Sequence, residues 1–73
     1  MHILNSYISI ELNGKLFNCK KSLSLNKLLL YLNIDMSSTI IEYNKEIVQE
    51  AFIDQINLHP GDKIELVTIV GGG

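Results

Sequence analysis

A chain of 73 residues is enough for one small domain, and such a domain buries only about 60% of the surface that its unfolded chain exposes. Hydrophobic residues make up 47% and charged residues 19%, which is typical of a packed globular protein and excludes a disordered chain. The formal net charge is −2 and the six cations are scattered lysines, so nucleic acid is not an expected partner.

The composition also argues against a membrane protein and against a disulfide-linked one. The most apolar stretch, residues 28–32, is far shorter than the ~20 residues that cross a bilayer. We expect no secretion signal, because the first residues lack a basic region followed by an apolar one. Cys19 is the one cysteine, which rules out an internal disulfide and indicates a reducing compartment. We therefore expect the cytoplasm, or the plastid stroma if an organelle genome encodes the chain.

Residues 8–12 alternate between apolar and polar side chains, which predicts a half-buried strand. Asn13 and Gly14 follow, and this pair readily adopts the positive φ angles of a two-residue type I′ turn. Because Cys19 would lie opposite the apolar Ile8 in the resulting hairpin, we predict that Cys19 is a small buried hydrophobe and not a reactive thiol. Counting outward from the turn sets the pairs of the hairpin: Leu12 with Lys15, Ile10 with Phe17, and Ile8 with Cys19.

After this hairpin the apolar period changes from that of a strand to that of a helix. Ser24 is the predicted N-cap and Asn33 the predicted end of the helix. Leu30 and Tyr31 lie off the apolar stripe, so we expect them to be partly exposed. The stripe itself consists of Leu25, Leu28, Leu29 and Leu32.

The second half of the chain is predicted to hold a short hairpin and a long last strand. Residues 39–43 and 46–48 are typical of strands, and Asn44–Lys45 is typical of a tight turn between them. Turn residues at 59–62 precede the last strand, residues 63–70. Together these elements indicate an α+β domain over residues 1–70. The segment between them has mixed periodicity with room for one short helical turn, and four residues should anchor it to the core: Phe52, Ile53, Ile56 and Leu58.

Both faces of the last strand carry apolar side chains. Ile64 and Leu66 point to one face, and Val67 and Ile69 point to the other. If the helix covers the first face, Val67 and Ile69 remain exposed near the end of the chain, as in a protein-binding patch. A central strand covered on both sides by loops is the alternative.

Gly71, Gly72 and Gly73 are the most informative feature of the sequence. At the average frequency of glycine, three in a row at one stated position occur by chance in about one chain in three thousand. Without Cβ atoms this segment could enter a narrow channel, with a reach of about 10 Å at ~3.3 Å per extended residue. We predict a flexible tail over residues 71–73 whose carboxylate reacts only after activation by ATP in another protein. A frayed chain end is the alternative.

No set of residues indicates that the chain is itself an enzyme. It has no phosphate-binding loop and no paired nucleophile and base, and it should bind no permanent cofactor. His2 and His59 are expected at the surface and not on a metal ion. Six carboxylates that separate apolar positions are interpreted as solvated: Glu42, Glu46, Glu50, Asp54, Asp62 and Glu65.

Residues 8–73 resemble the ThiS family, the sulfur carrier proteins of thiazole formation in thiamine biosynthesis. The resemblance rests on the segments IELNGK, SLSLNKLL, IIEYNKEIV, PGDKIELV and VTIVGGG. It implies a ubiquitin-like β-grasp fold, with a mixed sheet of four to five strands packed against one main helix. Three departures are that residues 1–7 precede the usual start of the family, that Lys45 stands where glycine is common and that Gln49 replaces a frequent proline.

The resemblance also implies a reaction cycle. In the family, an E1-like enzyme of the ThiF class uses ATP and magnesium to adenylate the last glycine, here Gly73. Sulfur from a cysteine desulfurase converts the adenylate to a thiocarboxylate, which thiazole synthase of the ThiG class receives. Gly72 matches the other C-terminal glycine of the family, and Val67 and Ile69 fall where such carriers meet their partners.

Several alternatives to this function remain open on the sequence. The small subunit of molybdopterin synthase, or another β-grasp sulfur carrier, would use Gly73 in the same way. A ubiquitin-like modifier would form isopeptide bonds with it. A non-catalytic interaction module would not use the tail at all.

Overall fold

The computed structural model describes residues 6–70, which form a five-stranded mixed sheet with an α-helix packed on one face. Two short 3₁₀ helices, Met36–Ser38 and Glu50–Gln55, lie between the main elements. The predicted tail, residues 71–73, lies outside the described residues. The main elements are β1 (Tyr7–Leu12), β2 (Lys15–Lys20), α1 (Leu25–Tyr31), β3 (Thr39–Tyr43), β4 (Glu46–Ile47) and β5 (Lys63–Thr68).

The strands lie in the order β2-β1-β5-β3-β4. Strands β1 and β5 are parallel, and the other neighbouring pairs are antiparallel. This arrangement confirms the predicted α+β class and the mixed sheet on one main helix. The core lies between α1 and the facing side of the sheet, and its buried hydrophobic residues are Ile8, Ile10, Cys19, Leu25, Leu28, Leu29, Ile41, Ile53, Leu58 and Ile64.

The first hairpin has the predicted turn and the predicted register. Asn13 and Gly14 have φ angles of 50° and 81°, as a type I′ turn requires. Strand β1 begins at Tyr7, one residue earlier than the alternation predicts. The three predicted cross-strand pairs are confirmed: Leu12 with Lys15, Ile10 with Phe17, and Ile8 with Cys19.

The helix α1 is capped and oriented as predicted. The Ser24 side chain accepts a hydrogen bond from the Lys27 backbone N–H at 3.1 Å, which satisfies one of the free donors of the first turn. Asn33 follows the helix with a φ of 59°, a left-handed conformation that ends helices. Leu30 and Tyr31 are exposed, as expected for residues off the apolar stripe.

The segment between β4 and β5 corrects one expectation about the core. Its helical turn is the 3₁₀ helix Glu50–Gln55, and Ile53 and Leu58 are buried as predicted. The prediction that Phe52 anchors this segment was wrong, because Phe52 is 53% exposed. Successive side chains of a 3₁₀ helix point about 120° apart. Here Ile53 faces the core and Phe52 faces away from it.

Two further expectations near the last strand were also wrong. Strand β5 ends at Thr68 and not at Val70, because the pairing with β3 stops where Thr68 lies opposite Thr39. Asp62 is not a solvated carboxylate but is buried, with 8% exposure. It accepts hydrogen bonds from the Tyr43 hydroxyl at 2.5 Å, the Asn44 side-chain amide at 3.1 Å and the His59 backbone N–H at 2.8 Å. These three donors offset the cost of burying the charge.

Candidate functional site

Strand β5 lies at the centre of the sheet and leads toward the glycines. On one side it pairs with β3 from Tyr43 opposite Ile64 to Thr39 opposite Thr68. On the other side it pairs with β1 only at Lys63 and Ile64. Within residues 6–70, therefore, the second half of β5 has a single neighbouring strand.

Val67 and Ile69 are exposed on the side of the sheet away from α1, as the alternation predicts. Val67 is 49% exposed and Ile69 is 51% exposed, whereas Ile64 on the helix side is fully buried. This result excludes the alternative of a strand covered on both faces. Ile40 lies directly opposite Val67 in β3 and is half-buried, so it extends the apolar surface. We call Ile40, Val67 and Ile69 the open-face patch.

Two carboxylates lie beside the open-face patch. Glu42 and Glu65 are directly opposite each other in β3 and β5, on the same face as Val67. In the part of the chain that the structure describes, no lysine lies at ion-pair distance from either glutamate. Like charges in this position destabilise a sheet and create a negative potential that a cationic surface would complement.

Asn13 connects the first hairpin to the second half of β5. Its backbone N–H donates to the Ile64 carbonyl oxygen at 2.9 Å. Its side-chain Oδ1 accepts from the Leu66 backbone N–H at 2.7 Å, and its Nδ2 donates to the Leu66 carbonyl oxygen at 3.3 Å. The sequence predicted Asn13 only as a turn residue, since no local pattern shows that its amide meets a strand 53 residues away.

The glycines of the predicted site, Gly71, Gly72 and Gly73, lie outside the described residues, so their roles stay predictions. Val70, directly before them, is 89% exposed, and the chain therefore leaves the sheet at its surface.

The other reactive groups of the chain do not form a second candidate site. Cys19 is buried, as predicted, and burial raises the pKa of its thiol, which makes the reactive thiolate scarce. Among residues 6–70, no cluster of His, Cys, Asp and Glu side chains is suited to hold a metal ion. The described part of the chain also contains no helix long and apolar enough to cross a membrane.

The mixed sheet, its single main helix and its central last strand define a ubiquitin-like β-grasp protein. The sequence model of the ThiS family matches residues 10–73, and the chain belongs to the ThiS family. The family match and the structural match support a role as a small sulfur carrier protein. The sequence-based family prediction is confirmed.

Comparison with solved structures gives the same fold. The crystal structure of the thiamine biosynthesis protein ThiS from Geobacter metallireducens matches with a TM-score of 0.78 and 26% sequence identity. The match covers 90% of this chain and 100% of that one. The ubiquitin-like β-grasp architecture is therefore shared over nearly the whole chain.

Two proteins with similar sequences were found, and they differ from each other in length and in name. The uncharacterized protein ycf40 of Porphyra purpurea is 41% identical over 71 residues, which is 97% of this chain and 100% of that protein. A thiazole synthase of Paramagnetospirillum magneticum is 33% identical over 66 residues, which is 90% of this chain but only 20% of the relative. A sequence similar to this chain is thus part of a longer thiazole synthase polypeptide.

Proposed function

We propose that this chain carries sulfur as a thiocarboxylate on Gly73 and donates it for thiazole formation in thiamine biosynthesis. The observation that carries the proposal is the course of β5, which passes from the buried core to exposed residues directly before the three glycines. The family match includes those glycines, because it extends to residue 73. The carrier supplies an unhindered carboxylate and a docking surface, and its partners supply the catalysis.

The chemistry requires activation because a carboxylate does not exchange oxygen for sulfur unaided. The Gly73 carboxylate attacks the α-phosphorus of ATP in an adenylating partner, which forms an acyl-adenylate and releases pyrophosphate. Magnesium in the partner's site neutralises the phosphate charge during this step. A persulfide sulfur from a cysteine desulfurase then displaces AMP, and cleavage of the sulfur–sulfur bond by a second thiol leaves the thiocarboxylate and a disulfide.

Thiazole synthase is the proposed acceptor of the sulfur. The relative in Paramagnetospirillum magneticum, whose name is thiazole synthase, contains a segment similar to this chain in the same polypeptide. Linking two proteins in one chain raises their effective concentration for each other, which favours a functional association. This association favours thiazole formation over the alternative role as the small subunit of molybdopterin synthase. The site of action, cytoplasm or plastid stroma, stays a prediction.

The open-face patch is the proposed docking surface for the adenylating partner. Val67 and Ile69 are exposed apolar residues that lie within a few residues of Gly73, so a partner that contacts them can also reach the carboxylate. Glu42 and Glu65 beside the patch favour a partner surface with basic side chains around an apolar centre. Such charges act mainly on the rate of association and on specificity.

The test is to incubate the full-length protein with a ThiF-class enzyme, ATP, magnesium, a cysteine desulfurase and cysteine. Mass spectrometry should show that the C-terminal peptide gains the mass difference between sulfur and oxygen. A variant that lacks Gly72 and Gly73 serves as the control and should gain nothing. A sulfur adduct on Cys19, or thiazole formation that is equally fast with the truncated variant, would contradict the proposal.

A further inference from the structure

The side chain of Asn13 takes the place of a missing strand residue beside β5. The parallel ladder between β1 and β5 ends at the pair Leu12–Ile64, because the first hairpin turns away at Asn13. The next backbone groups of β5 that face β1 are those of Leu66. One amide side chain satisfies both: Oδ1 accepts from the Leu66 N–H at 2.7 Å and Nδ2 donates to the Leu66 carbonyl oxygen at 3.3 Å. Oδ1 and Nδ2 of Asn13 thus replace the carbonyl oxygen and the N–H that a neighbouring strand would offer to Leu66.

Leu66 is the last point at which β5 is held from both sides. Beyond it, Val67 and Thr68 pair only with β3, and Ile69 adds one hydrogen bond, from its N–H to the Ser38 carbonyl oxygen at 2.7 Å. Fixing both polar groups of Leu66 fixes the direction in which the chain continues toward Val67 and the tail. A strand end that is already ordered loses less conformational entropy when a partner binds it.

We propose that Asn13 is a positioning residue for the reaction at Gly73. Its side-chain amide orders the end of β5, and the adenylating partner binds this ordered strand end when it reacts with Gly73. The proposal rests on the proposed function, since it names a residue that serves the same adenylation step. Asn13 does not contact the reacting carboxylate; it acts through Leu66.

The second tight turn provides a matched control. Asn44 also has a positive φ, 51°, and its Oδ1 accepts from the Lys63 backbone N–H at 2.8 Å, at the opposite end of β5. Asn13→Gly and Asn44→Gly both keep a turn that tolerates positive φ. Asn13→Gly removes two side-chain hydrogen bonds to Leu66, whereas Asn44→Gly removes one to Lys63 and one to the Asp62 side chain. Asn13→Asp keeps the acceptor for the Leu66 N–H but loses the donor to its carbonyl oxygen.

The experiment measures carrier-dependent pyrophosphate exchange by a ThiF-class enzyme, at a temperature where circular dichroism shows every variant folded. Asn13→Gly should raise the KM for the carrier about tenfold with little change in kcat, because two hydrogen bonds that preorganise the strand end are lost. Asn13→Asp should lie between Asn13→Gly and the parent, and Asn44→Gly should stay within about twofold of the parent. Equal KM values for Asn13→Gly and Asn44→Gly would overturn the proposal, since Asn13 and Asn44 would then both have only a structural role.

Amide hydrogen exchange of the carrier alone tests the same inference without a partner. The Leu66 amide should exchange faster in Asn13→Gly than in Asn44→Gly, and it should stay protected in Asn13→Asp. If the parent protein supports no pyrophosphate exchange, the proposed function fails, whereas the exchange rate of Leu66 still decides whether Asn13 orders the strand end. Unchanged Leu66 exchange in Asn13→Gly would overturn the positioning role whatever the enzyme shows.

Discussion

The two ends of β5 are held by asparagines of two similar tight turns, but their surroundings differ. At the start of the strand, Asn44 contacts Lys63 and also Asp62, which is buried. At the other end, Asn13 contacts Leu66, and the residues that follow are exposed on one face. The same turn chemistry therefore supports a closed network at one end and an open surface at the other.

The closed network consists of titratable and polar groups that satisfy one another. Burial by itself would raise the pKa of Asp62, but hydrogen bonds from Tyr43, Asn44 and His59 outweigh it and hold that pKa below its ordinary value. Burial, together with the hydrogen bond and the charge of Asp62, raises the pKa of Tyr43 to about 12. The difference between the two ends indicates that stability is concentrated where β5 begins and that function is expected where it ends.

The largest expected effect on stability comes from breaking the closed network around Asp62, which we call the closed end of β5; the end near Leu66 and Val67 is the open end. Asp62→Ala removes the shared acceptor and leaves the Tyr43 hydroxyl, the Asn44 amide and the His59 N–H without it. We expect the free energy of unfolding to fall by about 2–4 kcal/mol, as measured by urea denaturation. Asp54→Ala, at an exposed carboxylate, is the control and should change little. A loss no greater than that of the control would show that the network does not stabilise the fold.

The closed end also predicts how stability depends on pH. Because the pKa of Asp62 is lower in the folded state than its ordinary value of 3.8, its contribution is present above that value and is lost as the pH falls through the folded-state pKa. Urea midpoints measured from about pH 6 to about pH 2 should therefore decline more steeply for the parent than for Asp62→Asn. Two parallel curves would contradict this assignment.

A smaller effect is expected at the open end, and there it should be on binding and not on folding. Val67→Thr keeps the shape and strand propensity of valine but places a hydroxyl where the partner should bury a methyl group. The KM for the carrier in pyrophosphate exchange should rise about tenfold, with an unchanged urea midpoint. Leu30→Gln, at a residue exposed on the helix, is the matched control. If Leu30→Gln raises the KM as much as Val67→Thr, the open-face patch is not the docking surface.

The smallest effect is expected at Lys45, in the turn of the closed end. Lys45 has a φ of 73°, a conformation that is costly for a residue with a Cβ atom. Lys45→Gly should therefore raise the free energy of unfolding by about 0.5–1 kcal/mol without altering adenylation. The comparison with Lys15→Gly, at an exposed position of β2, separates relief of strain from loss of charge. Loss of stability in Lys45→Gly would show that this turn is not strained.

Much of the local structure could be predicted from the sequence. The Asn13–Gly14 turn and the alternation around it specify the register of the first hairpin, since turn type and side-chain period act between near neighbours. Ser24 specifies the start of the helix for the same reason. The exposure of Val67 and Ile69 also follows from alternation once the other face is assigned to the helix.

The parts that the sequence could not predict depend on residues that are distant in the chain. The burial of Asp62 requires Tyr43 and Asn44 to meet it, and the exposure of Phe52 depends on which neighbour faces the core. The early end of β5 is set by where β3 begins to pair with it. None of these contacts leaves a periodic signal in the sequence.

The sequence by itself determined the class of fold, the first hairpin, the helix and the alternation that exposes Val67 and Ile69, because turn chemistry and hydrophobic periodicity are local properties. The family followed from the resemblance of the chain to ThiS proteins. The tertiary structure alone decided that Asn13 reaches Leu66, because only the sheet order places β1 beside β5 and brings these residues together. The physical reason is that strand order is fixed by packing of the whole chain, which no short segment encodes.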